Sequence, residues 1–353
     1  MKKLVLATAV AALSVTAAQA APTVYGKAFL TLDLKDGDTD VTVVNNATGV
    51  SRATSADWAG DATRSKLNSN SSRIGLRGSE PLTDNTDVVY QLEYGVKVDD
   101  NSTQFTSRDT YLGLSNKQYG TLLAGRLSAI DGRVDYANVT EGGVLGGGNV
   151  LASFDSPRAN NAFAYVAPTY NDVTVSAMYV MDEYDFTNTR IGPNNVVPVN
   201  RDIFGLAAQY EPTAPYRAGI SYIQAGDALK AVRLSGAYDL TPATTIGALY
   251  QHTDYDTSDN ENAFTLSASH KVAQTPWTAY GQVDLVDNYF GASNAERQRL
   301  AVGGKYAFNR ATTGHVYGAY LNEEASVVNS TANTTTTTET SGFGVGAGLE
   351  YRF

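Results

Sequence analysis

The chain has 353 residues, with 26 lysines and arginines, 36 aspartates and glutamates, and no cysteine. The lack of cysteine excludes disulfides and thiolate metal ligands. The formal net charge of -10 is unfavourable for nucleic-acid binding, which needs basic surface to neutralise phosphates, so we expect no nucleic-acid partner.

The first twenty residues have the features of a secretory signal peptide. Two lysines precede an apolar run from Leu4 to Ala17, and residues 18–20, Ala-Gln-Ala, form a small-x-small cleavage site. The apolar run is shorter than the roughly 18 residues that a membrane-spanning helix needs. We therefore expect cleavage after Ala20, and a single domain over residues 21–353.

From there to the C-terminus, apolar residues alternate with polar or small ones at a period of two. Leu300 and Val302, for example, alternate with Arg299, Ala301 and Gly303. This period predicts β-strands with one apolar face. We place sixteen strands near 22–34, 70–80, 86–98, 106–116, 120–127, 159–168, 171–181, 201–211, 215–226, 228–239, 243–254, 258–272, 275–287, 296–308, 311–322 and 340–353.

The segments between these strands are of two kinds. Some are short and carry turn residues, such as those at Pro81, Pro168 and Pro242. The others are long and polar: 35–69, 127–158, 182–200, 288–295 and 323–339, the last with a polythreonine run. Short turns at one end and long loops at the other are typical of an outer-membrane barrel. The alternative, a soluble β-sandwich or propeller, fits sixteen strands and one long mid-chain loop poorly.

The last thirteen residues, SGFGVGAGLEYRF, contain glycine at every second position from Gly342 to Gly348. A dinucleotide-binding loop needs a helix after its glycines, and only five residues remain here. We therefore predict a closing strand with a small-residue inner face and an aromatic last residue, Phe353.

Several segments together resemble the trimeric Gram-negative general porins. They are YGKAFLTLD from Tyr25, SSRIGLRGSEPL from Ser71, YQLEYGV from Tyr90, SRDTYLGL from Ser107, YGTLLAGRL from Tyr119, and the terminal LEYRF. The resemblance implies an all-β, 16-stranded antiparallel barrel in the outer membrane, assembled as a homotrimer among outer-membrane lipid and lipopolysaccharide. It also implies passive diffusion of small hydrophilic solutes and a terminal Phe353 read by the barrel-assembly machinery. We expect no cofactor and no metal.

The resemblance further implies a pore narrowed by the third loop, about 127–158, folded inward. The predicted basic wall is Lys27, Arg73, Arg77, Arg108, Arg126 and Arg158; the predicted acidic side is Glu93, Asp131, Asp135 and Glu141. The loop departs from the Pro-Glu-Phe-Gly-Gly tip of the family, since only Glu141-Gly142-Gly143 is similar. Opposed charges would orient dipolar solutes across the constriction. The acidic total predicts a mild cation preference.

Other functions remain as alternatives. A porin specific for a sugar, an anion or a peptide has the same strand pattern, as does a plugged adhesin barrel. His252, His270 and His315 lack a Ser-His-acid context, which argues against a hydrolase. The acidic stretch Asp36–Asp40 lacks the glycine and glutamate of an EF-hand, so a solvated loop is the better interpretation.

Overall fold

A computed structural model describes residues 21–57, 65–100, 104–181, 190–191, 197–198, 202–256 and 258–353. The predicted signal peptide, residues 1–20, lies outside these ranges, as does most of the predicted 182–200 loop. Three short 3₁₀ helices occur at Ile130–Val134, Val144–Gly146 and Tyr289–Gly291. Within the described ranges, no helix has the length and apolar character needed to span a bilayer.

The described strands are β1 Thr23–Asn45, β2 Ser51–Asp57, β3 Ser65–Ser69, β4 Arg73–Thr83, β5 Thr86–Val96, β6 Phe105–Asn116, β7 Gly120–Ser128, β8 Arg158–Val166, β9 Val173–Val180, β10 Arg190–Ile191, β11 Val197–Pro198, β12 Ile203–Tyr210, β13 Tyr216–Ala225, β14 Leu229–Thr241, β15 Thr244–Tyr255, β16 Glu261–Lys271, β17 Trp277–Asp287, β18 Ala295–Ala307, β19 Thr312–Asn329 and β20 Thr334–Arg352.

Sixteen of these strands close into one antiparallel barrel, which confirms the predicted fold. Strands β4 to β9 and β12 to β20 pair in sequence, and β1 closes the sheet between β20 and β4. The short strands β2 and β3 continue along the same edge of β1 as β4. Closure matters because an open sheet edge in hydrocarbon would leave backbone groups unpaired.

The two faces of the wall differ as the two-residue period predicts. On β18, Leu300 and Val302 are half exposed on the outer surface, whereas Arg299 and Ala301 are buried in the interior. Aromatic side chains collect at the end of the barrel that carries the short turns, where the Trp277 and Tyr306 rings lie 5.1 Å apart. Interfacial aromatics and an apolar outer band are features of membrane-spanning barrels.

The loop predictions for 35–69 and 323–339 are wrong in part. Strand β1 continues to Asn45, β19 continues to Asn329, and β20 begins at Thr334 with the polythreonine run. The stretch Asp36–Asp40 is therefore strand and not loop. These polar strands pair with one another, so their backbone groups are satisfied without a core, and threonine suits an extended backbone. Polar composition alone had indicated loops.

The first strand meets the last residue of the chain where the barrel closes. The Gly26 N–H donates to the Phe353 carbonyl at 2.9 Å, and the Phe353 N–H donates to the Gly26 carbonyl at 3.1 Å. The Phe353 ring covers Gly26 and occupies the space that a side chain at position 26 would need. The terminal aromatic residue thus requires glycine on the first strand.

We expect Gly26→Leu to lower the stability of the barrel by about 1–3 kcal/mol, because the new side chain must displace the Phe353 ring. Thermal unfolding in detergent would measure the change. Ala28→Leu, two residues along the same outer face, is the matched control and should cost little. Equal stability of the two variants would contradict this account of closure.

Candidate functional site: the lumen and its inward loop

The loop between β7 and β8, residues 129–157 and here called L3, folds into the barrel and follows the inner wall. Its outgoing arm passes β15 at Gly247 and reaches β17, where the Val139 N–H donates to the Gln282 side chain at 3.0 Å. At the tip, Val144 lies against Gly344 of β20. The return arm comes back to β16, where the Ser153 N–H donates to Glu261 at 2.9 Å. Gly344, in the glycine row of β20, thus makes room for the L3 tip.

Two buried arginines attach L3 to this wall. The Arg233 guanidinium lies 2.9 Å from Asp155 and 3.4 Å from Asp131, and it donates to the Phe154 carbonyl at 3.2 Å. The Arg299 guanidinium forms a 2.7 Å ion pair with Asp284 and donates to the Asn149 carbonyl at 2.5 Å. Both arginine side chains are almost fully buried. Buried charges require such partners, so these contacts fix the course of L3.

Apolar packing supports the same course. Ile130 and Val134, on the first arm of L3, pack with Met178 of β9. Val144 and Leu145, near the tip, are buried in the cluster that contains Tyr317 of β19. The loop is thereby held along its whole length on one side of the lumen.

A cavity of about 810 Å³ remains between L3 and the opposite wall, formed by β5 to β8. Its charged lining consists of three arginines and three aspartates: Arg108, Arg133, Arg158, Asp109, Asp135 and Asp155. Arg108, Arg158 and Asp109 lie on the barrel wall, whereas Arg133, Asp135 and Asp155 belong to L3. Charged groups therefore face the open lumen from both sides.

A carboxylate organises the basic wall at its centre. Glu93 Oε1 lies 2.5 Å from Arg108 Nε, and Glu93 Oε2 lies 3.6 Å from Arg73 Nε. The Tyr25 hydroxyl donates to Glu93 Oε2 at 3.0 Å. Two guanidiniums share one carboxylate, so this cluster has one excess positive charge. Nearby, Arg158 pairs with Asp109 at 2.7 Å, and those two charges balance.

The remaining predicted site residues lie outside the cavity lining. Glu141 contacts Lys305 at 3.0 Å at the L3 tip, and Lys27 lies 4.0 Å from Glu350. Asp131 is buried against Arg233. Arg77 lies over the Tyr25 ring, 4.8 Å from its centroid, near the turn end. Arg126 pairs with Thr110 in the sheet and bonds to Ser107 and Asn160.

The predicted basic and acidic sides left out five charged residues of this site: Asp155 on L3 and the four that follow. Arg233 and Arg299 stand at inward positions of β14 and β18, so strand parity could have identified them as lumen charges. Asp109 follows Arg108 where the β5–β6 register shifts, and a bulge is not visible in the alternation. Arg133 lies in L3, where no periodicity applies.

The carboxyl of Asp155 has an unusual environment. Burial raises its pKa to about 6, and the negative charge of Asp131 acts in the same direction, against the attraction of Arg233. Asp155 is therefore ionised above about pH 6 and neutral below it. Since Asp155 lines the cavity, protonation removes one negative charge from the L3 side.

We expect ion selectivity to shift towards anions as the pH falls from about 7.5 to about 5, with a midpoint near the raised pKa of Asp155. Reversal potentials in a salt gradient would measure the shift. The Asp155→Asn variant should show the low-pH ion selectivity at every pH between about 5 and about 7.5. A midpoint that is unaltered in that variant would assign the effect to another group.

Comparisons of this chain with known proteins agree with this geometry. The Gram-negative porin family model matches residues 6–326. The major outer membrane protein P.IB of Neisseria gonorrhoeae is 26% identical over 349 residues, covering 92% of this chain and 94% of the relative. The major outer membrane protein P.IA of Neisseria meningitidis serogroup C is 24% identical over 331 residues, covering 76% of this chain and 81% of the relative.

Solved structures share the fold. An anion-selective porin from Comamonas acidovorans superimposes with a TM-score of 0.60 at 20% identity, covering 94% of this chain and 99% of that one. A loop-deletion mutant of OmpT from Vibrio cholerae superimposes with a TM-score of 0.65 at 16% identity, covering 96% of this chain and 100% of that one. A closed barrel with a charged lumen is the architecture of a diffusion channel, and this chain belongs to the Gram-negative porin family. It is an outer-membrane diffusion porin.

Proposed function

We propose that this porin is a general one, through which small hydrophilic solutes and ions diffuse passively. The observation that carries the proposal is the water-accessible cavity between L3 and the β5–β8 wall, lined on both sides by charged groups. Within the described residues, nothing forms a group of three or more side chains suited to hold a metal ion.

The charges act through a field across the lumen. The Arg73–Glu93–Arg108 cluster leaves an excess positive charge on the wall, while Asp131 and Asp155 share Arg233 and leave an excess negative charge on L3. Fixed opposed charges in a narrow, low-dielectric channel orient dipolar solutes and order water. Apolar solutes must disrupt that ordered water, so the constriction favours hydrophilic ones.

The total charge of the chain is a poor guide to ion selectivity. Asp36, Asp38 and Asp40 share the outer face of β1 with Leu32 and Leu34, away from the lumen. The cavity lining, by contrast, has equal numbers of arginines and aspartates. We therefore propose weak selectivity, set by these six residues together with the neighbouring Arg73–Glu93–Arg108 cluster; the mild cation preference inferred from composition stays a prediction.

Planar-bilayer recording with neutral solutes of graded size tests the proposal. A general porin should give a large ionic conductance that small solutes without charged groups reduce gradually and without saturation. Saturable block by one solute without charged groups, such as a sugar, would favour a substrate-specific porin, and absence of conductance would favour a plugged barrel.

We further propose assembly as a homotrimer in a lipopolysaccharide-containing membrane, with Phe353 recognised by the barrel-assembly machinery. The support is family membership and the pairing of Phe353 with Gly26. Mass measurement in detergent tests the trimer, and deletion of Phe353 should reduce assembly.

We also propose that the chain has no catalytic activity, since His252 bonds to Asn262, His270 bonds to Thr244 and His315 packs on Phe29. Esterase turnover by purified protein would contradict this.

A further inference from the structure

A second cavity, of about 250 Å³, lies on the other side of the L3 segment 135–138. Asp135 and Asn138 line both this cavity and the larger one. A solute that leaves the larger cavity therefore meets groups that also belong to the smaller one. The two cavities are thus neighbours across this segment of L3.

The wall of the smaller cavity is rich in hydroxyl groups. Thr245, Ser267 and Ser269 contribute side chains from β15 and β16. The Ser267 hydroxyl is buried and has no hydrogen-bond partner among the described residues. A buried hydroxyl without a partner costs free energy, so its position is explained if a bound molecule supplies the partner.

Two opposite charges flank these hydroxyls. Arg217 lines the cavity and is only loosely paired, with its Nη1 atom 3.4 and 3.5 Å from the Asp239 carboxylate oxygens. Asp239 also accepts a 2.6 Å hydrogen bond from Thr245, and this competing donor weakens the ion pair between Asp239 and Arg217. Asp135 uses its Oδ1 atom to accept from the Ala137 and Asn138 N–H groups at 3.1 and 3.0 Å.

The position of L3 against this wall is fixed by a glycine. A side chain at Gly247 would meet the Tyr136 carbonyl at 2.7 Å and Ala137 Cα at 2.9 Å. Tyr136 is held further by the Ser235 hydroxyl, which accepts from its N–H at 3.0 Å. The L3 side of the cavity, which carries Asp135, is therefore held in place before any solute arrives.

We propose that this cavity is a binding subsite for a small zwitterion, an α-amino acid or short peptide. The solute's carboxylate binds Arg217, its ammonium group binds Asp135, and its amide or polar atoms bond to Ser267. A neutral sugar would use the hydroxyl wall but would leave both charges without a ligand. The inference rests on the proposed function, since the solute must enter by diffusion through the lumen.

Open-channel recording with glycylglycine, and with mannitol as the neutral comparison, tests the subsite. We expect glycylglycine to reduce the ionic current saturably and mannitol to reduce it without saturation. Arg217→Gln should raise the half-blocking concentration about tenfold, as expected for loss of a charge-assisted hydrogen bond, and Ser267→Ala about threefold. Ser115→Ala is the matched control. It also removes a serine hydroxyl, but that hydroxyl bonds to Thr121 on β7 and does not line the smaller cavity.

The outcomes are separable. An intact ionic current with no saturable block by glycylglycine overturns the subsite and leaves the porin function standing. Saturable block that is unaltered in both Arg217→Gln and Ser267→Ala also overturns this assignment of the subsite. Absence of ionic current overturns the proposed function itself, and the subsite with it.

Discussion

Replacing Arg233 with methionine is expected to release L3 from the wall and to raise the single-channel conductance. The substitution leaves Asp131 and Asp155 buried without their shared cation, and it removes the donor to the Phe154 carbonyl. Loss of one partner from a buried ion pair costs about 3–5 kcal/mol, much of it from the uncompensated charge. L3 is the element that can move to restore hydration, so we expect the lumen to widen.

Conductance histograms and thermal unfolding of the same preparation would measure both effects. Arg310→Met, in the exposed turn between β18 and β19, is the control for loss of an arginine. It should change neither the single-channel conductance nor the thermal stability. Adding Asp131→Asn and Asp155→Asn to the Arg233→Met chain should recover stability, because no buried charge then lacks a partner. Unchanged conductance in Arg233→Met would mean that Arg233 does not hold the loop.

The double variant Arg73→Glu, Arg108→Glu is expected to make the channel strongly cation-selective. Glu93 lies between these two arginines, so the change converts a cluster of net charge +1 into three neighbouring carboxylates. Charged clefts raise local counter-ion concentration by roughly 10–10³-fold, so a permeability ratio altered about tenfold is expected. Reversal potentials in a salt gradient give that ratio.

The matched control keeps the total charge change and moves it away from the cavity. Arg126→Glu with Arg310→Glu also changes the net charge by −4, at residues that belong neither to the cavity lining nor to the Arg73–Glu93–Arg108 cluster. We expect a far smaller shift. If the two double variants shift the reversal potential equally, total charge and not the Arg73–Arg108 cluster sets selectivity.

Strand parity explains how far the sequence alone could predict this protein. The two-residue period of segments such as Leu300–Val302 reports which face meets lipid, and one period repeated sixteen times defines a closed barrel. The same parity places Arg73 and Glu93 on the inner face. The wall is predictable because one physical constraint, an apolar exterior around a wet interior, acts on every strand.

L3 obeys no such constraint. Its course depends on pairs that are remote in sequence, such as Glu141 with Lys305 and Asn149 with Arg299. Thus Asp131, which the family resemblance places on the acidic side of the pore, lies buried beside Arg233. Arg133 lines the cavity although nothing in its local sequence indicates it. The polar strands above the barrel were missed because they pair only with one another.

Modification of single introduced cysteines tests most directly which residues face the lumen, since the chain has no native cysteine. A charged thiol reagent added during bilayer recording should reduce the current sharply for Asp135→Cys, on L3, and leave it unchanged for Leu300→Cys, on the outer face of β18. Block at position 300, or full current after modification at position 135, would contradict the division of the barrel into a lipid-facing exterior and a lumen narrowed by L3.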